Sequence, residues 1–188
     1  MTKKELRAKV AEAVKNLSED YCHEADEAIC RHVINSPMYR SARTIFCYVG
    51  NAREIDTFPL LRAALADGKI VATPLCTGKG IMEARQIQGL GDLVSGKFDI
   101  LAPKLECPTV RPEDFDLAIV PCSSGNPKGH RLGYGGGFYD RYLPKTNCPK
   151  ILLCRSKLVE NEIPVEEHDL VMDYLATEDG VILCGEEN

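Results

Sequence analysis

The sequence predicts an α/β fold of three layers, α/β/α: a mostly parallel sheet with helices on both faces. Three observations carry this. First, Thr44-Ile45-Phe46-Cys47-Tyr48-Val49 reads as a short buried strand closed by Gly50-Asn51, and Lys69-Ile70-Val71-Ala72-Thr73-Pro74 reads as another. Between them Thr57 can cap a helix with Pro59 in its first turn, Leu60, Leu61, Ala64 and Leu65 on its apolar side, and Gly68 at its end. Strand, helix and strand at this spacing imply a parallel pair joined by a right-handed crossover. Second, Asp116-Leu117-Ala118-Ile119-Val120-Pro121 and Lys150-Ile151-Leu152-Leu153-Cys154 are unbroken apolar runs, as expected of strands covered on both faces. Third, a glycine-rich stretch follows the first of these runs, where ligands sit in such folds, beyond the carboxyl ends of the strands.

The remaining elements fall in order around this frame. Thr2 with Glu5 is a capping-box pattern, and Leu6, Val10, Ala13, Val14 and Leu17 recur at helical spacing. Ser18 can cap a second helix whose stripe is Cys22, Ala25, Ile29 and Val33, with Pro37 as its stop. Ile81 to Ile87 alternates like a strand, and Gly89 to Pro112 reads as an irregular excursion. Phe138 to Leu143 is a short helix ended by Pro144. Leu170 to Thr177 and Val181 to Cys184 are short terminal strands. No linker divides the chain, so residues 1–188 are expected to form one domain.

Composition limits the function. With a net charge of −5 and a pI near 5.4, the chain lacks the basic surface of a general nucleic-acid binder. No signal-peptide core and no apolar run long enough to cross a bilayer is present, which points to a cytoplasmic protein. The nine cysteines form no C-x-x-C pair and several sit in apolar runs, so they read as reduced core residues rather than zinc ligands.

The stretch Arg131-Leu132-Gly133-Tyr134-Gly135-Gly136-Gly137-Phe138-Tyr139-Asp140-Arg141 places four glycines within five positions. It is neither G-x-G-x-x-G nor a Walker A loop, which would end in Gly-Lys-Ser/Thr. Bare amides beside Arg131 suit phosphate oxygens, and Asp140 lies where a carboxylate could hold Mg²⁺ against them. The plainer reading is a tight strand-to-helix turn. Lys3 and Arg7 share a helix face at i, i+4; they are either a solvated face or cations meeting an anionic ligand.

The segment Gly129–Arg141 closely resembles the signature of the 5-formyltetrahydrofolate cyclo-ligases, the methenyltetrahydrofolate synthetases. Lys3-Lys4-Glu5-Leu6-Arg7, Glu54-Ile55-Asp56-Thr57, the 116–121 run and Ile163-Pro164-Val165-Glu166-Glu167-His168-Asp169, continuing to Asp173 and Thr177, match in the same order. The resemblance implies that family's fold, which is related to sugar-phosphate isomerase and CoA-transferase architectures. It also implies the family's reaction: ATP and 5-formyltetrahydrofolate become ADP, phosphate and 5,10-methenyltetrahydrofolate, with Mg²⁺, through an iminium phosphate. By the same resemblance Lys3, Arg7, Arg131, Gly133, Tyr134, Gly135, Gly136 and Gly137 are expected to hold ATP, and Arg131 and Tyr139 to be catalytic. Glu54, Phe138 and Tyr139 are expected at the folate, and Asp140 and Asp173 at Mg²⁺. Reduced folate and ATP are the expected partners, with no nucleic acid or membrane, and a monomer is expected. The chain departs from the pattern at Cys122-Ser123-Ser124-Gly125-Asn126, at Ala102, at Ala84 and at Lys157, mostly on the folate side. A non-catalytic folate- or nucleotide-binding relative is therefore the alternative.

Overall fold

The structure is a computed structural model and describes residues 1–96 and 100–185. The sheet strands, in chain order, begin with β1 (Thr44–Cys47), β2 (Ile70–Gly78) and β3 (Ile81–Ile87). A hairpin of β4 (Leu93–Ser95) and β5 (Leu101–Pro103) stands apart from the main sheet, which resumes with β6 (Thr109–Val110) and β7 (Leu117–Val120). A second hairpin, β8 (Ser124–Gly125) with β9 (Arg131–Leu132), precedes β10 (Lys150–Leu153), β11 (Tyr174–Thr177) and β12 (Gly180–Leu183). The main sheet has the order β12-β11-β10-β7-β1-β2-β3-β6. Its centre, β11 through β2, is parallel, and antiparallel strands close both edges. The expected strand–helix–strand unit is present, with Ile45 opposite Val71.

Alternation along the strands builds two cores. Ile45, Val71, Ile119 and Ile151 face one side. There α2 (Glu19–Ile34), α3 (Pro37–Ser41) and α4 (Phe58–Ala66) cover them with Ile29, Val33, Leu60 and Leu61. Phe46, Ala72, Ala118 and Leu152 face the other side, beneath Leu6 and Val10 of α1 (Lys3–Lys15) and Tyr142 of α5 (Phe138–Tyr142). One residue of register separates the two sets, because successive strand side chains point to opposite faces. Cys30, Cys47, Cys148 and Cys154 are buried free thiols within these cores. Burial pushes the Cys30 thiol up to about 12, so it behaves as an inert core group.

The capping signals mostly hold. Thr2 Oγ1 accepts from the Glu5 amide at 3.2 Å and Glu5 returns the bond to the Thr2 amide at 2.7 Å, while Ser18 caps α2. Three expectations need correction. Pro37 does not stop α2, which ends at Ile34; Pro37 opens α3 behind the Ser36 cap, since proline suits a first helical turn. Thr57 precedes α4 without capping it. Its fully buried hydroxyl donates to the Tyr48 carbonyl at 2.7 Å and accepts from the Gly50 amide at 3.0 Å, and Asp56 takes the Phe58 amide instead. The strand expected from Leu170 starts only at Tyr174. The irregular excursion at 89–112 contains β4, β5 and β6; its residues 97–99 lie outside the described residues.

The amino ends of the parallel strands are closed by aspartates. Asp116 Oδ2 accepts from the Arg43 and Thr44 amides at 2.9 and 3.0 Å, and Asp173 Oδ2 accepts from the Lys150 amide at 2.8 Å. These amides begin β1 and β10, where the sheet ladder leaves them without a strand partner.

Candidate active site

Most of the candidate side chains gather at the opposite, carboxyl ends of β1, β7 and β10. Beyond β1 the chain makes a tight loop over residues 50–57. It closes against Gly50, where an added Cβ would lie 2.0 Å from the Ile55 carbonyl oxygen, so no side chain fits. Glu54 rides on this loop, half-buried, its carboxylate receiving a long 3.4 Å bond from the Asn51 amide. Burial raises the Glu54 pKa above its ordinary value, offset in part by the Asn51 amide and by the charge of Arg131.

Beyond β7 the β8–β9 hairpin carries the chain out and back to deliver Arg131. Ser124 and Asn126, both fully buried, fix this hairpin. Ser124 Oγ donates to the Leu158 carbonyl at 2.6 Å, and Asn126 Oδ1 accepts from the Lys128 and His130 amides at 3.1 Å each. The unusual 122–126 stretch is therefore largely scaffold; within it Cys122 reaches the site, its thiol 3.2 Å from the Leu153 carbonyl. Arg131 is held on three sides. Its Nε donates to the Pro121 carbonyl at 2.7 Å, its guanidinium stands 5.0 Å over the Tyr139 ring, and its Nη1 lies 3.8 Å from Asp140 Oδ1. Its side chain is only 6% exposed, so the cation has a fixed direction.

The glycine stretch leaves Arg131 as an open loop. Gly135 and Gly137 have φ of +99° and +70°, a region that side-chain-bearing residues avoid. Tyr134, Gly135 and Gly136 are exposed, and among the described residues the amides of 134–137 donate to no other backbone group. The Tyr134 hydroxyl ties the loop back by donating to the Cys122 carbonyl at 2.9 Å. Arg7 braces it from α1: Nε donates to the Gly133 carbonyl at 2.7 Å, and the guanidinium lies alongside Gly135. Lys3 is placed differently from Arg7. Its ammonium ion is paired with Asp169 at 2.5 Å and Glu166 at 3.1 Å. Burial opposes the Lys3 charge, but those two hydrogen bonds outweigh it and raise its pKa.

The aromatic pair divides. Tyr139 packs edge-on to Phe46 at 6.1 Å beneath Arg131; burial, and then the Glu54 charge, push its hydroxyl far above the ordinary range, so it stays protonated. Phe138 turns toward the β2–β3 turn and lines a small cavity of about 170 Å³ with Met82, Arg141 and Tyr142. The two aspartates expected to share a metal are not brought together. Asp140 stands beside Arg131 at the carboxyl ends, whereas Asp173 pairs with Lys150 at the amino end of β10. That strand has four residues, which at about 3.3 Å per residue puts its ends roughly 10 Å apart. In this structure Asp173 caps the opening of β10.

Comparison with protein families matches residues 1–178 to the "5-formyltetrahydrofolate cyclo-ligase family". The chain belongs to this family. A probable 5-formyltetrahydrofolate cyclo-ligase of Schizosaccharomyces pombe is 28% identical, covering 97% of this chain and 98% of its own. The 5-formyltetrahydrofolate cyclo-ligase of Escherichia coli K12 is 30% identical, covering 86% and 92%. The solution structure of Aquifex aeolicus 5,10-methenyltetrahydrofolate synthetase superimposes with a TM-score of 0.87 at 29% identity, covering 100% of this chain and 95% of that one. The three-layer fold is shared with it. The sequence did not single out Arg155, whose Nη2 donates to the Glu54 carbonyl at 3.3 Å. The signal was present for Arg155, a charge set directly after the apolar run 151–154 at the carboxyl end of a strand.

Proposed function

We propose that this chain cyclises 5-formyltetrahydrofolate to 5,10-methenyltetrahydrofolate at the expense of ATP, releasing ADP and phosphate. The observation that carries the reading is a buried, rigidly aimed Arg131 whose charge acts on a desolvated Glu54, next to a glycine loop whose 134–137 amides, among the described residues, donate to no backbone group. A formyl oxygen leaves poorly until it is phosphorylated, and phosphoryl transfer needs positioning and charge neutralisation more than a strong base. Arg131 is oriented before substrate arrives, so it can stabilise charge on the transferred phosphoryl group without reorganising. The open amides of 134–137 suit phosphate oxygens. Glu54 is suited to a polar edge of the pterin or the formamide, and Tyr139, kept protonated, can donate a hydrogen bond beside it.

Arg7 reaches the phosphates through the loop it braces. Lys3 reaches them only by leaving Asp169 and Glu166, so its resting role is to fix α1 against the 166–169 turn. Mg²⁺ sites on nucleotides use one or two carboxylates plus phosphate oxygens. Asp140, partly exposed and only loosely paired, fits that chemistry and would hold the ion, which supplies neutralising charge at the phosphates. Residues 1–188 act as one domain, as a monomer, in the cytoplasm; no helix among the described residues is long and apolar enough to cross a membrane. The test is a turnover assay with (6S)-5-formyltetrahydrofolate, Mg²⁺ and ATP, following methenyltetrahydrofolate by absorbance. Product only with ATP is expected; none at saturating substrates overturns the reading. Folate binding by calorimetry without turnover would favour the non-catalytic alternative.

A further inference from the structure

One buried ion pair has no part in the chemistry so far. Arg155 follows β10 and Asp26 lies on α2; they are 6% and 8% exposed. Arg155 Nε and Nη2 donate to the two Asp26 oxygens at 2.8 and 2.9 Å. A buried pair of this kind gives little net stability, since desolvation offsets attraction and apolar replacements are often neutral or better. What distinguishes this pair is where its remaining bonds go. Asp26 Oδ2 also accepts the Asp56 amide at 3.0 Å, and Arg155 Nη2 also donates to the Glu54 carbonyl at 3.3 Å. The two partners thus grip the backbone on either side of Ile55, in the loop that carries Glu54. Among the described residues the Glu54 carboxylate itself has only the long Asn51 bond, so main-chain anchors decide where it points.

We propose that the Asp26–Arg155 pair is the device that positions Glu54 for the folate, with Arg155 a positioning residue that touches neither substrate. The proposal rests on the cyclo-ligase reading of the site. A single Arg155→Met change would strand a buried carboxylate, so the informative variant is Asp26→Leu/Arg155→Met, which removes both charges and keeps apolar bulk. It should melt within a few degrees of wild type. A misplacement of about 1 Å can cost on the order of 100-fold, so kcat/KM for 5-formyltetrahydrofolate should fall roughly 10- to 100-fold, with KM for ATP changed less than about twofold. Hydrogen exchange of amides 50–57 should quicken in the free protein. Adding Glu54→Gln should cost little more, because the carboxylate is already displaced. Arg155→Lys, which keeps charge but not the two-pronged grip, should fall between. Unchanged exchange at 50–57, unchanged folate kcat/KM, or a KM for ATP raised as far as the KM for folate would each overturn the proposal. Wild-type protein that makes no methenyl product would instead sink the cyclo-ligase reading, and the exchange measurement would still decide whether the pair holds the loop.

Discussion

At the amino ends of the sheet, carboxylates are spent on the protein itself. Asp116 and Asp173 each accept from amides that open a neighbouring strand. At the carboxyl ends the balance is reversed. Asp140 is only loosely matched to Arg131, Glu54 is desolvated with one long bond, and the glycine loop leaves its amides open. The same residue type therefore caps strands at one edge and is only loosely bonded at the other. Hydrogen-bond satisfaction separates Asp116 and Asp173 from Asp140 and Glu54 more sharply than residue identity does, because a carboxylate already holding an amide gives up that bond to bind anything else.

Arg131→Ala gives the largest expected effect at the carboxyl end. Loss of one preorganised electrostatic donor costs about 100- to 1000-fold in kcat, and single-turnover kinetics will measure it. Full turnover in this variant would break the comparison at its centre. Asp140→Asn comes next: about tenfold or more in activity at limiting Mg²⁺, recovered in part by raising the ion, as expected when one carboxylate ligand of a weakly held cation is lost. A Mg²⁺ titration of initial rates checks this. Glu54→Gln should lower folate kcat/KM yet raise the melting temperature at pH 7. Its carboxyl has a raised pKa in the folded state, so folding favours the neutral form; stability falls as pH rises through that pKa, and glutamine removes the loss. The melting difference should vanish in acid, below the ordinary value of 4.5.

Asp173→Asn should act oppositely to Asp140→Asn. Weakening a strand-opening hydrogen bond costs about 1 kcal/mol, or roughly 2–4 °C in melting temperature for a chain of this size, with Mg²⁺ dependence intact. If instead Asp173→Asn abolishes Mg²⁺ dependence and leaves melting unchanged, the division between the two ends fails. The smallest effect is at the Lys3–Asp169 contact. Asp169 has a lowered pKa despite its burial, because Lys3 and the Glu166 amide favour its charged form. Its contribution is present at neutral pH and lost as pH falls below about 4 through the lowered folded value. Lys3, with its pKa raised, keeps its contribution up to its ordinary value of 10.5 and loses it only above that. Asp169→Asn should flatten the acid limb of a melting-versus-pH curve slightly.

Much of this frame was legible in the chain. The apolar runs 44–49, 116–121 and 150–154 became central strands because a strand covered on both faces must be apolar throughout. The capping box at Thr2 and the cap at Ser18 were readable because each uses residues three apart. The glycine stretch was recognisable because positive φ at Gly135 and Gly137 restricts the residue type. Thr57 misled because a threonine before a helix has two uses, and here the buried Tyr48 carbonyl claimed its hydroxyl. The placement of Asp173 at the amino end of β10 was not legible, because position along a chain does not say at which end of a strand a carboxylate stands.

The sequence by itself determined the layer order, the crossover unit and the glycine backbone of the loop, since these follow from periodicity and local backbone demands. Only the tertiary structure decided that Lys3 is paired to carboxylates, that Asp173 stands at the amino end of β10, and that Asp26 and Arg155 close on the Glu54 loop. Those contacts join residues more than a hundred positions apart, such as Asp26 and Arg155, or set a residue at one end of a strand or the other. They depend on how the sheet stacks its strands, which no local pattern encodes.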